Sequence, residues 1–420
     1  MNVLHINTSA SSGGAAIAAR RHCEAMRKVG INAQLLSLYG KEDNFTIISD
    51  FNQEYEQKRW KWGWITHKIN RLQVKKVAWH WVDGDYDISN LQVVKDADII
   101  YLHWINEFLG CKTIKSLLET GKPIIWYMHD MWPITGGCHH SFGCTNYERD
   151  CSNCPLMKIF RNRTKNVIAK KIRYWKQYPN FIPVAPSTWL TECIRRSALF
   201  SDRRAYTIPN VIDTDLYITK EKKGIREKLG LPLNKKLILA SAMGYDNPFK
   251  GVQYLVKAME ALIDTNYEFV IVGKTKLEIF PKTLHNKLHL LGYIENQSEM
   301  VNIYNCAEVL LITSMAENFP NVVIEAMSCG VPVVGFATGG IKDQINHKKN
   351  GWLVKQKDVK GLVEGIHWVL EEANYKNLQK NARQYVLNNC SYKKVLIIHQ
   401  QLLNMYNQEM PFSMKKQEVY

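Results

Sequence analysis

The sequence predicts an α/β protein made of two successive parallel-sheet domains with a ligand cleft between them. Three observations carry this. Apolar strand-like runs alternate with helical patterns along the chain, the order that builds parallel sheets. The length, 420 residues, exceeds what one hydrophobic core sustains. With 46% hydrophobic and 22% charged residues, the composition is that of an ordinary globular protein with material for two cores.

The elements follow in order. Val3 to Asn7 is a strand, Ser11-Ser12-Gly13-Gly14 a turn, and Ala15 to Val29 an amphipathic helix closed by Gly30. Ala33 to Leu38 is the next strand, so the chain opens on a βαβ unit. Apolar strands follow at Ile99 to Leu102, Ile124 to Met128 and Phe181 to Ala185. Ile208-Pro209-Asn210-Val211-Ile212-Asp213 reads as a linker turn, which divides the chain into residues 1–205, 206–390 and a final segment 391–420. The second half carries strands at Leu237 to Ser241, Glu268 to Val272, His289 to Leu291, Glu308 to Ile312 and Val331 to Val334, separated by helical patterns. Residues Gln408 to Tyr420 read as a frayed tail.

The stretch from Ala316 to Met327 is the most informative. Glu317 and Glu325 stand eight residues apart, the first in a loop punctuated by Asn318, Pro320 and Asn321, the second about two turns inside the helix that follows. Thr338-Gly339-Gly340 then reads as a tight loop opening another helix. Amide groups at a helix start hold a diphosphate, and two carboxylates accept hydrogen bonds from sugar and ribose hydroxyls. The pattern therefore suits a nucleotide-sugar. His129 and Asp130 directly follow the apolar strand Ile124 to Met128, so they emerge at the carboxyl end of a strand, where open α/β sheets bind ligands.

Charge is uneven. The formal net charge is +16, and two stretches, Lys58 to Lys76 and Lys158 to Lys176, hold seven and eight basic residues with no Asp or Glu. Trp60, Trp62 and Trp64 interleave with the first, and Phe160, Tyr174 and Trp175 with the second. Such stretches suit an anionic membrane surface, or are a solvated basic face over buried Trp; nucleic acid is the weaker third reading. No apolar run is long enough to span a bilayer, and the amino terminus lacks a basic region followed by an apolar stretch. These features point to a cytoplasmic protein, peripheral at the inner face of the plasma membrane.

Cys138, Cys144, Cys151 and Cys154 fall within 17 residues. Clustered thiols in a cytoplasmic protein favour structural zinc, with disulfides and unligated thiols as the alternatives. Four protein ligands leave a zinc ion no open position, so such a metal is not catalytic.

The segment running from Lys250-Gly251 through Glu317 and Glu325 to Gly339-Gly340 resembles the donor domain of retaining glycosyltransferases of family 4, whose fold, GT-B, is two facing Rossmann-like domains. Gly13-Gly14 and Ile208-Pro209-Asn210 fit the same family, and the block from His129 to Cys138 is similar to a bacterial subgroup that builds capsular, exopolysaccharide or O-antigen chains. The resemblance implies that Glu325 binds ribose hydroxyls, Glu317 holds hydroxyls of the donor sugar, and Lys250 lies on the donor diphosphate. Backbone around Phe319, Asn321 and Val322 is expected to donate to phosphate oxygens, and Gly13 and Gly14 to allow close approach. His129 and Asp130 are expected near the donor sugar and acceptor, His129 in orientation and charge stabilisation rather than as an obligatory base. The final helical stretch, about Ser391 to Met405, is expected to cross back onto the first domain. Two positions depart from the family: Tyr245 stands where an arginine usually follows Gly244, and Asp343 where glutamate is usual.

The expectation is a retaining glycosyltransferase that moves a sugar from a nucleotide-diphosphate-sugar to a hydroxyl of a lipid-linked glycan, with no cofactor required for catalysis and no nucleic-acid partner. The rivals are a catalytically silent scaffold, a nucleotide-sugar epimerase and a zinc-containing dehydrogenase. The last lacks a Gly-x-Gly-x-x-Gly after a strand with an acid at the right distance.

Overall fold

The computed structural model of the protein describes all residues except 59–71, 76, 83–85, 246 and 410–420. It contains two parallel sheets, each in its own compact unit: Met1–Pro209 with the segment from Leu396, and Asn210–Val395.

The first sheet has seven strands in the order β3-β2-β1-β4-β5-β6-β7. They are β1 (Asn2–Ser9), β2 (Asn32–Tyr39), β3 (Thr46–Ile48), β4 (Ile99–Leu102), β5 (Ile124–Tyr127), β6 (Phe181–Ala185) and β7 (Tyr206–Thr207). The second has six, β10-β9-β8-β11-β12-β13. These are β8 (Lys236–Gly244), β9 (Tyr267–Lys274), β10 (Leu288–Gly292), β11 (Val309–Ile312), β12 (Val333–Phe336) and β13 (Gly351–Val354). Central strands such as β4, β5 and β11 are buried on both faces, which is why they read as unbroken apolar runs rather than alternating ones.

The strands expected from apolar runs are present, with small shifts at their ends. Thr46–Ile48, Tyr206–Thr207 and Gly351–Val354 were not foreseen; they are short and lie at sheet edges, where few residues carry the pattern. Tyr206–Thr207 pairs with β6, so it is the last strand of the first sheet, and the unit extends to Pro209. The closing helix is Tyr392–Glu409, and from Leu396 it belongs to the first unit. Tyr101 on β4 and His399 on that helix are hydrogen bonded at 2.9 Å inside the unit. Among the described residues no helix is long and apolar enough to cross a membrane.

Candidate active site

In the second unit the expected donor-side residues sit on loops that leave the carboxyl ends of β8, β11 and β12, three neighbouring strands. Lys250 ends a short 3-10 turn, Pro248–Lys250, whose start is capped by the Asn247 side chain accepting from the Phe249 amide. Gly251 follows with φ +64°, and a Cβ there would lie 2.1 Å from the Thr313 carbonyl oxygen. Glycine is therefore required by both conformation and contact. The loop is tied down by Thr313 Oγ1 donating to the Lys250 carbonyl (3.0 Å) and the Met315 amide donating to the Phe249 carbonyl (2.7 Å). This places Lys250 Nζ 2.6 Å from Glu317 Oε1, with both side chains largely buried. Two residues 67 apart in sequence, each expected on the donor, are thus partners.

The helix after this loop is Asn321–Ser328, with Pro320 at its N-cap and no side-chain cap on its first amides. Helices start with amides that lack partners within the helix, so such an end suits an anion. Glu325 lies one turn inside rather than two, because the helix begins only at Asn321. It is buried and accepts a 2.6 Å hydrogen bond from Tyr304 Oη. Burial and then the Glu325 charge push the Tyr304 phenol well above its ordinary pKa, so it stays a donor. Asn210 Nδ2 donates to the Phe319 carbonyl (2.9 Å) and to Asn321 Oδ1 (3.0 Å), bracing the helix entry. The Phe319 ring is part of the hydrophobic core, and Val322 packs against it half-buried, so backbone is what these residues have to offer a ligand. Tyr245 is buried in the core, so the position where the family has arginine contributes packing here, not charge. Asp343 lies in the short helix Ile341–Gln344 after the Gly339-Gly340 loop, and its carbonyl accepts from Tyr385 Oη at 2.6 Å.

In the first unit Gly13, with φ +96°, is the N-cap of helix Gly14–Lys28, which likewise has no side-chain cap. His129 and Asp130 follow β5 and join two separate hydrogen-bond chains. His129 Nε2 lies 2.9 Å from His103 Nδ1, and His103 Nε2 lies 2.9 Å from His5 Nδ1. Burial lowers His129 to about 4 against the pull of Asp130, and lowers His5 to about 3. Burial also holds His103 well below its ordinary value. All three rings are neutral at physiological pH. The second chain runs from Asp130 Oδ2 to His139 Nδ1 (2.6 Å) and from His139 Nε2 to His80 Nδ1 (2.8 Å). Its far end is Glu107, 3.5 Å from His80 and bonded by Tyr55 Oη; Glu107 adopts φ +67°, an uncommon conformation for a residue with a side chain. Burial would raise the Asp130 carboxyl, but His139 and the Trp132 amide overcome it and hold the group at about 2.

The four cysteines line one cavity together with Trp79, Tyr147 and Leu156. Burial pushes Cys151 up to about 12 and raises Cys138 and Cys154 as well, although backbone amides donate to the Cys151 and Cys154 sulfurs. Among the described residues, however, no three His, Cys, Asp or Glu side chains are grouped so as to hold a metal ion. The thiols meet in space without forming the closed tetrahedral set that structural zinc needs. Lys171, fully buried on helix Arg163–Trp175, donates to the Trp132 and Thr135 carbonyls and sits 3.7 Å above the Trp132 ring. It fixes the backbone between Asp130 and Cys138.

Most of the first basic stretch, with Trp60, Trp62 and Trp64, lies outside the described residues. In the second, Lys171 and Trp175 are core residues rather than surface ones, whereas Ile159 and Phe160 are exposed. The Lys158 amide bonds the Gln73 carbonyl, which brings exposed Leu72 to the same edge. Tyr304, His5, His103, His80 and Glu107 carried no motif, and their place beside the candidate residues is set by strand register and helix packing.

Residues 221–385 match the family described as glycosyl transferases group 1. The chain is 25% identical over 388 residues to the putative colanic acid biosynthesis glycosyl transferase WcaC of Escherichia coli K12, covering 87% of this chain and 90% of that one. It is 25% identical over 193 residues to the Escherichia coli UDP-Gal:alpha-D-GlcNAc-diphosphoundecaprenol alpha-1,3-galactosyltransferase, covering 43% of this chain and 49% of that one. Among solved structures, sucrose-phosphate synthase from Thermosynechococcus elongatus superposes with TM-score 0.64 at 17% identity, over 97% of this chain and all (100%) of that one. Anabaena HepE in complex with UDP-glucose superposes with TM-score 0.62 at 17% identity, over 97% and 100% of the two chains. Residues 221–385 are thus similar to group 1 glycosyl transferases, and the chain as a whole has the two-sheet α/β architecture, GT-B, of solved glycosyltransferases.

Proposed function

We propose that this protein is a retaining glycosyltransferase of family 4 that moves a sugar from a nucleotide-diphosphate-sugar to a hydroxyl of a growing, lipid-linked surface polysaccharide. The observation that carries the reading is the Lys250–Glu317 pair beside the helix start that bears Glu325. A diphosphate bound at the Asn321 helix start meets amide dipoles and the Lys250 cation, both of which stabilise charge that grows on the leaving group. Glu317 then accepts from sugar hydroxyls and Glu325, oriented by Tyr304, from the ribose. In the transfer the bond from the anomeric carbon to the diphosphate oxygen breaks and one to the acceptor oxygen forms on the same face. The acceptor proton leaves with the departing diphosphate. His129 and Asp130 orient the acceptor on the first unit.

Support for the donor and acceptor classes comes from the relatives. One solved neighbour holds UDP-glucose, one relative is named for colanic acid biosynthesis, and another for UDP-Gal and a diphosphoundecaprenol acceptor. The basic residues Lys158, Arg161 and Arg163 next to exposed Ile159 and Phe160 support peripheral contact with an anionic bilayer.

The test is binding and turnover over a panel of nucleotide-sugars, comparing wild type with Glu325→Ala and Lys250→Ala. One donor is expected to bind and to be slowly hydrolysed with its anomeric configuration retained, and both variants to lose this. A folded protein that binds none of them overturns the reading. Inverted product overturns the retaining part alone. Sedimentation with anionic but not zwitterionic vesicles, weakened by Phe160→Glu, tests the membrane contact.

A further inference from the structure

The four cysteines of the first unit surround a space of atomic size. Cys138, Cys144, Cys151 and Cys154 line one cavity of about 20 Å³. Such a space holds a single water-sized guest and no organic ligand. The sulfurs are near one another, since Cys151, Cys154 and Cys144 all bear electrostatically on Cys138. Four soft donors around room for one atom suit a thiophilic metal ion.

The surroundings are matched to charged sulfur. The amides of Leu156 and Met157 donate to the Cys154 sulfur, and the Gly136 amide donates to that of Cys151. A thiol is a weak acceptor and charged acceptors are strong ones, so these N–H groups favour the thiolate form. Lys171 near Cys151 and Arg161 near Cys154 act in the same direction. Trp79 lines the same cavity and is 7% exposed, and its indole N–H is buried with no hydrogen-bond partner among the described residues. A thiolate in the cavity is an acceptor for it.

The loop also has little else to order it. From Cys138 to Asn162 its one helical turn is Asn146–Glu148. Its core is a small cluster in which Val74, Trp79, Leu156 and Met157 pack with Cys138 and Cys154. Cys151 and Asn153 adopt φ +54° and +48°, the left-handed region that residues with side chains avoid.

We propose that Cys138, Cys144, Cys151 and Cys154 together bind one zinc ion, and that the ion, by closing this loop, orders the turn that carries His139. As they stand, no three of these side chains are grouped to hold an ion. Binding therefore includes a movement, in which the sulfurs turn inward to the zinc–sulfur bond length of about 2.3 Å. Four S–H protons pass to solvent as four zinc–sulfur bonds form, leaving a net negative charge that the N–H groups and the two cations offset. His139 follows Cys138 directly and holds Asp130 at 2.6 Å, so the ion acts on the candidate site through that turn. The zinc site does not depend on the transferase reading.

The full chain, expressed with zinc in the medium and purified reduced without chelator, is analysed for metal by plasma mass spectrometry. One zinc per chain is expected, released when a mercurial blocks the thiols. Cobalt in its place is expected to give the charge-transfer and ligand-field bands of a tetrahedral four-thiolate site. Cys154→Ser should lose the metal, whereas Cys306→Ala, in the second unit, should keep it. Where Cys154→Ser does not fold, the cobalt spectrum of the wild-type chain decides alone. A reduced, folded chain with neither zinc nor a cobalt–thiolate band overturns the proposal, as do two disulfides among the four cysteines. Bound iron instead of zinc overturns the choice of ion. Amide hydrogen exchange at residues 138–140 is expected to quicken when zinc is withdrawn, and an unchanged rate overturns the ordering role.

Discussion

Lys250 Nζ and Glu317 Oε1 lie 2.6 Å apart, joining the loop after β8 to the loop after β11. The cation is thereby held in place before any anion arrives. Lys250→Ala is expected to weaken binding of a nucleoside diphosphate by about ten- to a hundredfold, the range for a charged hydrogen bond. Binding of the corresponding monophosphate should change little, since it lacks the second phosphate. Calorimetric titration of both nucleotides measures this, and an equal loss for the two would remove Lys250 from the diphosphate site.

Gly251 is predicted to be intolerant of a side chain. Its φ of +64° and the 2.1 Å approach of a Cβ to the Thr313 carbonyl both oppose alanine. Gly251→Ala should destabilise the protein by roughly 1–3 kcal/mol and displace the Lys250 loop. Urea unfolding with an unchanged midpoint would contradict it.

Tyr304→Phe removes the 2.6 Å donor to buried Glu325 without changing the ring. The expected loss is about 1–3 kcal/mol of stability, from a buried acceptor deprived of a partner. Donor affinity should fall with it, because Glu325 loses the group that orients it. Thermal unfolding with and without the donor separates the two effects.

Buried histidines give the protein a pH signature. Burial lowers His5 and His399 to about 3, His129 to about 4, and His22 and His103 well below the ordinary value. The unfolded chain therefore binds more protons as pH falls below about 6.5. The histidines' contribution to stability is full above that pH and is lost as pH falls, by roughly 1.4 kcal/mol per pH unit for each histidine. Lys171, lowered by burial to about 7, adds the same sign between there and its ordinary value, so stability keeps rising on the alkaline side. Denaturant midpoints across the pH range check this; a maximum below pH 6 would refute it.

Much of the fold was legible in the chain. β1, β2, β4 and β5 announced themselves as apolar runs, and the helix from Gly14 as an amphipathic pattern stopped by Gly30, because buried strands and half-buried helices must repeat with the backbone's own period. Local chemistry likewise pointed to Glu317 and Glu325, and the family resemblance to Lys250, Gly13 and Gly14, whose roles depend on turns and helix starts a few residues long. What the sequence could not supply was partnership across strands. That Lys250 meets Glu317 and that His5, His103 and His129 form one chain follows from strand order and register, and that Tyr304 holds Glu325 from the packing of two helices. The same holds for Trp175 and Lys171, which read as members of a charged surface run but are buried, because side-chain direction on a helix depends on what packs against it. Sequence determined which chemistry was present and on which local scaffold; tertiary structure decided which groups share protons and charge, since that depends on distances between residues 21 to 98 positions apart.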